Sequence, residues 1–283
     1  MMTVVVVLSA SILFAQTDTN AQLVSKKGIA ILPEAGEYSI SIDAQPFLYY
    51  LGNIFNSNAS NPAPTFNFTA DHPTQIVGKY MVDANTAYRG IVRIGYNNDI
   101  SDFYMMKDGQ TEPNPTVVVK DSYRIRQSFV GIGAGLEKRR GKGRVQGFYG
   151  GQAIIGFGTK SEKYTYGNAL STKNLIPTRN FGPSITPRGM SSAYLLEDVA
   201  GTSFGLALEG FLGVEYFFAP KFSISGEFIY GFSLYNRGEG YKIVEYLDNS
   251  TLKVTQETYK VGNRNFVDFN PRAALSLNLN FYF

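Results

Sequence analysis

From about residue 36 onward the chain alternates apolar and polar residues with a period of two, in segments separated by breaks; this is the signature of β-strands with two unlike faces. The first such segment, about 37–50, places Tyr38, Ile40, Ile42, Ala44 and Leu48 on one face and Ser39, Ser41, Asp43 and Gln45 on the other. Further segments are predicted over about 75–83, 87–97, 123–137, 144–158, 202–218, 222–234 and 266–283. In the third, Tyr88, Val92, Ile94 and Tyr96 oppose Arg89, Arg93 and Asn97. In the last, Leu275, Leu277, Leu279, Phe281 and Phe283 oppose Asp268, Asn270, Arg272, Ser276, Asn278 and Asn280.

The breaks are of two kinds, and they take turns. Those at Ala84-Asn85-Thr86, Arg140-Gly141-Lys142-Gly143 and Ala219-Pro220-Lys221 are short. Those over about 52–74, 99–122, 160–200 and 236–262 are long and rich in Asn, Pro and Ser. About eight strands, short turns on one side and long loops on the other are the pattern of a closed antiparallel transmembrane β-barrel with short periplasmic turns and long extracellular loops. Closure also gives every backbone N–H and C=O a partner, which lipid demands. A soluble β-sandwich alternates too. What separates the two is the gathering of aromatic residues near strand ends: Tyr38, Tyr88, Tyr216, Phe218, Phe222, Phe281 and Phe283 at the turn side, and Tyr50, Tyr96 and Phe157 at the loop side. These have the placing of two interfacial girdles.

Residues 1–15, MMTVVVVLSASILFA, form the one long apolar run. It is short of the ~20 residues a spanning helix needs and has the length of a signal-peptide core, with a cut after Ala15 or, alternatively, after Ala21. Residues 22–36 are then a periplasmic lead-in or a segment that folds into the lumen, and 37–283 the outer-membrane barrel.

The terminal Phe283, closing an alternating strand, resembles the C-terminal signature by which bacterial outer-membrane proteins are handed to the barrel assembly machinery. The segment GVEYFFAPKFSISGEFIYGFSL (213–234) resembles a hairpin of the small OmpX-like and OmpA-barrel-like families. The resemblance is architectural and covers about 37–283. It implies an outer-membrane location in a Gram-negative envelope, contact with outer-membrane lipid and the assembly machinery, and no fixed activity. No peptidoglycan-binding domain follows the last strand, so that role is not implied.

Composition narrows the chemistry. With 0 Cys there is no disulfide or thiolate metal site, and with 1 His (His72) no histidine-rich centre. A net charge of +3 gives no reason to expect nucleic-acid binding. His72 follows Asp71, but no serine stands at a nucleophile spacing, so a lipid-modifying enzyme is the least supported reading, and no catalytic residue and no cofactor are expected. The lumen-facing set is read as a charge network of Asp43, Lys79, Arg89, Arg93, Glu209, Glu215, Glu227 and Arg272. An eight-stranded barrel is just wide enough for its own side chains, so these charges either plug the lumen by pairing or line a narrow, porin-like ion path. The basic run 138–144 is expected to be a solvated periplasmic turn, with an acidic partner or lipid headgroups as the other reading. Gly131-Ile132-Gly133-Ala134-Gly135 lacks nucleotide-loop spacing and suits a curved strand. Three roles follow: surface-loop presentation in a structural or interaction role, an accessory subunit with an outer-membrane protein partner, and a narrow-pore transporter.

Overall fold

A computed structural model of the chain describes residues 23–44, 47–48, 73–109, 116–183, 193–248 and 250–283, apart from the side chains of Lys142 and residues 265–273. The segment read as a signal peptide, His72 and Tyr50 lie outside the described residues, and Asp268 and Arg272 outside the described side chains.

Among the described residues ten strands form one antiparallel sheet: β1 (Tyr38–Asp43), β2 (Thr74–Asp83), β3 (Thr86–Met106), β4 (Val118–Lys142), β5 (Val145–Thr165), β6 (Tyr194–Ala219), β7 (Phe222–Arg237), β8 (Gly240–Asp248), β9 (Lys253–Val261) and β10 (Arg264–Tyr282). Eight of them close into a ring. Neighbours in sequence pair from β1 through β7, β7 pairs with β10, and β10 returns to β1 through Ser39↔Tyr282 to Asp43↔Asn278. The fold is therefore an all-β, closed antiparallel barrel.

Three two-residue turns join β2 to β3, β4 to β5 and β6 to β7, all at one end. Asp83 Oδ1 accepts the Asn85 N–H in the first. Gly143 supplies the positive φ (67°) of the second. In the third, Lys221 carries a positive φ of 63° without being glycine, and its extra contacts, given below, account for it.

The alternation sorts side chains by face. Along β3, Arg89 and Ile91 are buried, while Tyr88, Val92, Ile94 and Tyr96 are exposed. Along β7, Ser223, Ser225, Glu227 and Ile229 are buried, while Phe222, Phe228, Tyr230 and Phe232 are exposed. The barrel is thus apolar outside and mostly polar inside, the reverse of a water-soluble barrel. The exposed aromatics lie at matched heights. Tyr38 pairs in register with Tyr80 and Tyr80 with Tyr88, and Phe222 with Phe281 at the turn end. Phe157 pairs with Phe204 towards the other end.

Two expectations need correction. The long breaks are not all loop. β3 and β4 pair without interruption up to Met106↔Val118, β5 runs to Thr165, and β6 starts at Tyr194. The stretch read as a fourth loop contains the β8–β9 hairpin, and β8 continues along β6 beyond β7, from Val199↔Tyr241 to Tyr194↔Glu245. These extensions rise past the apolar band, where one face no longer has to be apolar and the alternation fades. The basic run is also not a solvated turn throughout. β4 reaches Lys142, and Arg139 is 1% exposed, turned into the lumen by the same alternation that turns Arg140 outwards.

Candidate functional site

Two places concentrate polar groups: the turn-side half of the lumen and the extended strands beyond the long-loop rim.

In the lumen, six charges among the described residues are almost completely buried: Lys79, Arg89 and Arg139 against Glu137, Glu215 and Glu227. Three cations meet three carboxylates. Lys79 Nζ lies 3.0 Å from Glu137 Oε2. Arg89 Nη2 donates to Glu227 Oε2 at 2.9 Å, and its Nη1 lies 3.6 Å from Glu137. Arg139 bridges the other two carboxylates, with Nη1 donating to Glu137 at 3.0 Å and Nη2 to Glu215 at 2.5 Å. Tyr282 supports the same group: its hydroxyl accepts from Arg139 at 2.7 Å and lies 2.9 Å from Glu215 Oε1. Ser223 also donates to Glu215. Burying isolated charges costs several kcal/mol each, and only pairing and added hydrogen bonds offset that.

Apolar side chains complete the closure. Phe148, Phe211 and Ile229 pack together inside the barrel, with Lys79 Nζ 5.0 Å from the Phe148 ring and the Arg89 guanidinium 3.9 Å from the Phe211 ring. Phe211 fits because β5 has Gly150 opposite it: a Cβ there would overlap the Phe211 ring and the Leu136 carbonyl. Nearer the long-loop end a second polar layer holds Arg93 and Glu209 in a two-bond pair (2.8 and 2.7 Å), with Gln75 accepting from Arg93 Nε and Gln152 Nε2 donating to Glu209.

The turn-side mouth is covered by the residues ahead of β1. Ile31 is buried among Met81, Ala87, Phe217 and Tyr282. Lys221 fastens it: its N–H donates to Ile31 O, and its Nζ to Leu32 O and Glu37 Oε1. Residues 23–36, for which two placements stood open, thus lie across the end of the lumen.

Of the sequence-selected charges, Lys79, Arg89, Glu215 and Glu227 share the turn-side cluster, and Arg93 and Glu209 form the separate second pair. Asp43 is half-buried at the end of β1, opposite Asn278. Sequence reading missed Glu137, Arg139 and Tyr282. The parity of β4 could have found the first two, since Glu137 and Arg139 share a face with Gly131, Gly133 and Gly135; placing a turn at 138–144 hid Arg139.

Beyond the rim, the extended strands carry a core of their own. Tyr164, Phe181, Leu195 and Val244 are buried together, with Phe103, Tyr123, Tyr166, Tyr246 and Tyr259 packed on them. Residues 166–183 are pinned there. Asp121, fully buried, accepts the Gly167 N–H at 2.7 Å and the Asn180 N–H at 2.6 Å. Asp108 accepts from Thr178 N–H, Thr178 Oγ1 and Asn174 Nδ2. Tyr166 donates to Leu195 O at 2.9 Å. Burial pushes the Tyr166 hydroxyl up to about 12, so it stays a donor at neutral pH. Among the described residues no cluster of His, Cys, Asp or Glu suits a metal ion.

These features define a class: a closed eight-stranded barrel with an apolar exterior, a lumen closed in its turn-side half by paired charges and packed rings, and a folded extension at one end. No family model matches the chain, and no curated protein matches it. Among solved structures it is similar to the outer membrane protein OprG from Pseudomonas aeruginosa, at 13% identity over 89% of this chain and 98% of that one, with a TM-score of 0.31.

Proposed function

We propose that this chain is an outer-membrane β-barrel whose body is a closed, non-conducting anchor, and that its work is done by the folded platform beyond the rim, in contact with another molecule at the cell surface. The role is structural or interactive and not enzymatic. The observation that carries this reading is the balanced, fully buried charge cluster across the lumen, capped by Ile31, inside a barrel whose outer face is apolar. Such a surface suits lipid, and such an interior leaves little room for an ion path. The platform supports the second half: a pinned segment with its own aromatic core presents a fixed surface, where a solvated loop would not. Ile176, 84% exposed, and Leu175 stand out from it. Phe283, packed beside Tyr38 and Phe281, is proposed as the end recognised during assembly.

The test has two arms. Planar-bilayer recording of the purified protein should be silent; steady single-channel steps would sink the anchor reading and restore the narrow-pore one. A photo-crosslinker at Ile176 on intact cells should capture a stoichiometric partner, whereas one at the outward Val214 should capture none. Capture at Val214 alone would favour an accessory subunit held through the barrel wall.

A further inference from the structure

The outer wall of the barrel carries a cationic patch just beyond the loop-side aromatic belt. β4 turns Val130, Ser128, Arg126 and Arg124 outwards in succession, and Arg124 faces Lys163 of β5 directly across the ladder. All three cations are exposed. Opposite residues of an antiparallel pair root their side chains about 5 Å apart, and like charges placed so repel. Arg126 stands roughly 7 Å from Arg124 along the same strand and adds to the repulsion. On the β3 side the two arginines face Ile100 and Asn98, which bring no charge. The nearby acids are engaged or stand to one side. Asp102, diagonal to Arg124, pairs with Lys120 at 2.9 Å, and Glu197 lies beyond Lys163 on β6. Among the described residues Arg124, Arg126 and Lys163 have no ion pair.

The height of the patch says what it meets. Tyr96, Ser128 and Thr159 stand level across β3, β4 and β5, with the Ser128 and Thr159 hydroxyls hydrogen-bonded at 2.6 Å. Below that level the same wall is apolar, with Ile94, Val130 and Phe157 in register. Above it, Arg126 and Arg124 follow within roughly 7 and 13 Å along a tilted strand. Interfacial tyrosines sit among lipid headgroups, and long cationic side chains bend back towards them. We propose that Arg124, Arg126 and Lys163 form a docking site for the phosphate of a glycolipid in the outer leaflet, whose acyl chains lie along the apolar wall beneath. Arginine holds phosphate through two parallel N–H···O bonds, and one anion seated between Arg124 and Lys163 turns their repulsion into a shared attraction. The site rests on the reading of the chain as an outer-membrane barrel with its platform at the cell surface.

The probe is lipid A, a diphosphorylated, acylated glucosamine disaccharide, added to the folded protein in neutral detergent and followed by native mass spectrometry. Binding to the wild type should saturate. Arg124→Gln/Arg126→Gln should weaken it by about tenfold or more, the worth of one hydrogen bond to a charged group. Lys253→Gln, at the start of β9, should leave it unchanged. Lipid A stripped of its phosphates should bind the wild type as weakly as the intact lipid binds the double variant. Equal binding of the two lipid forms by the wild type, or of intact lipid A by the wild type and the double variant, overturns the proposal. Stability supplies an independent sign. In phosphatidylcholine vesicles the double variant, relieved of the repulsion at Arg124 and Lys163, should resist urea at least as well as the wild type; with lipid A added, the wild type should become the more resistant. A double variant that is the weaker in both means that the arginines serve the wall itself, which also overturns the proposal. Each sample is first checked for its heat-dependent gel shift. A wild type without that shift sinks the barrel reading and the site with it, whereas a shifting protein that ignores the phosphate sinks the site alone.

Discussion

Removing Arg139 tests the claim that the luminal charges act as one balanced unit. The side chain is 1% exposed, between Glu137 and Glu215, which are both 0% exposed. With Arg139→Met the flexible thioether occupies most of the space, but Lys79 and Arg89 are left to neutralise three carboxylates. Breaking a buried pair by removing one partner costs about 3–5 kcal/mol, because a desolvated charge is stranded. Tyr282 loses a donor in addition. The double variant Arg139→Met/Glu215→Leu restores balance, two cations against two carboxylates, and should recover most of that loss. It will not recover all of it, since Ser223 and Tyr282 both lose their contact with Glu215 and an unsatisfied buried hydroxyl costs about 1–3 kcal/mol. Urea unfolding in lipid vesicles, followed by the unheated gel band, measures all three. The single variant should be less stable than wild type by about 3–5 kcal/mol, and the double should lie between them. A double variant that falls below the single, or a single that costs under about 1 kcal/mol, would refute the balanced-unit argument.

Three other outcomes follow from the geometry. Ile31→Asp puts a charge among Met81, Ala87, Phe217 and Tyr282 and should release residues 23–36 from the turn-side mouth, so that trypsin cuts faster at Lys26 and Lys27 while the heat-dependent gel shift persists. Asp121→Ala removes the acceptor for Gly167 and Asn180, at about 1.5–3 kcal/mol per hydrogen bond to a charged group; hydrogen exchange should rise across 166–183 and stay unchanged in the β4–β5 pairs of the barrel. Asp248, in the β8–β9 turn, is held down to about 2 by the Ser250 hydroxyl and N–H and by Thr251. Its folded value is depressed, so its contribution is present above the ordinary 3.8 and lost as pH falls through about 2. Amide exchange at the hairpin tip should therefore be flat from pH 7 to about 4 after correction for intrinsic rates, and Asp248→Ala should raise it at neutral pH.

What was legible in the sequence is what the environment makes periodic. β3 and β7 show it: between the two aromatic belts each position faces either the apolar exterior or the polar lumen, so the alternation is strict and Arg89, Arg93 and Glu227 could be placed by parity alone. Above the belts the rule lapses. Residues 98–106 and 118–124 still pair strand to strand, but both faces carry polar and aromatic residues, and the segment reads as loop. The platform core was hidden for a related reason. Tyr164, Phe181, Leu195 and Val244 come from four separate stretches, and only the extension of β5, β6 and β8 brings them together. The lumen was misread at one point: Phe148, Ile154, Phe211 and Ile229 are apolar residues on the polar face. Parity predicts their direction, but composition alone does not say that a barrel this narrow fills part of its interior with rings and leaves the charges to close the rest.

The ion pairs also bear on how the ring stays closed. Lys79 on β2 reaches Glu137 on β4, Arg89 on β3 reaches Glu227 on β7, Arg93 on β3 reaches Glu209 on β6, and Arg139 on β4 reaches Glu215 on β6. None of these pairs joins hydrogen-bonded neighbours, so every one depends on the barrel having curled up, and none rewards a flat or partly paired sheet. The shortest strand of the ring is β1, six residues long, and its seam with β10 runs from Tyr38, which exchanges backbone hydrogen bonds with Phe283, to Ala44, whose N–H donates to Leu277 O. The Arg89–Glu227 contact spans the lumen between β3 and β7 and so braces that seam from the inside. Arg89→Met should accordingly open β1–β10 before the rest of the sheet. Hydrogen exchange would show protection lost first at Ile40, Ile42, Leu279 and Phe281, with the β4–β5 amides still protected. Uniform loss across all strands would mean that the pair stabilises the barrel generally and does not hold its closing seam.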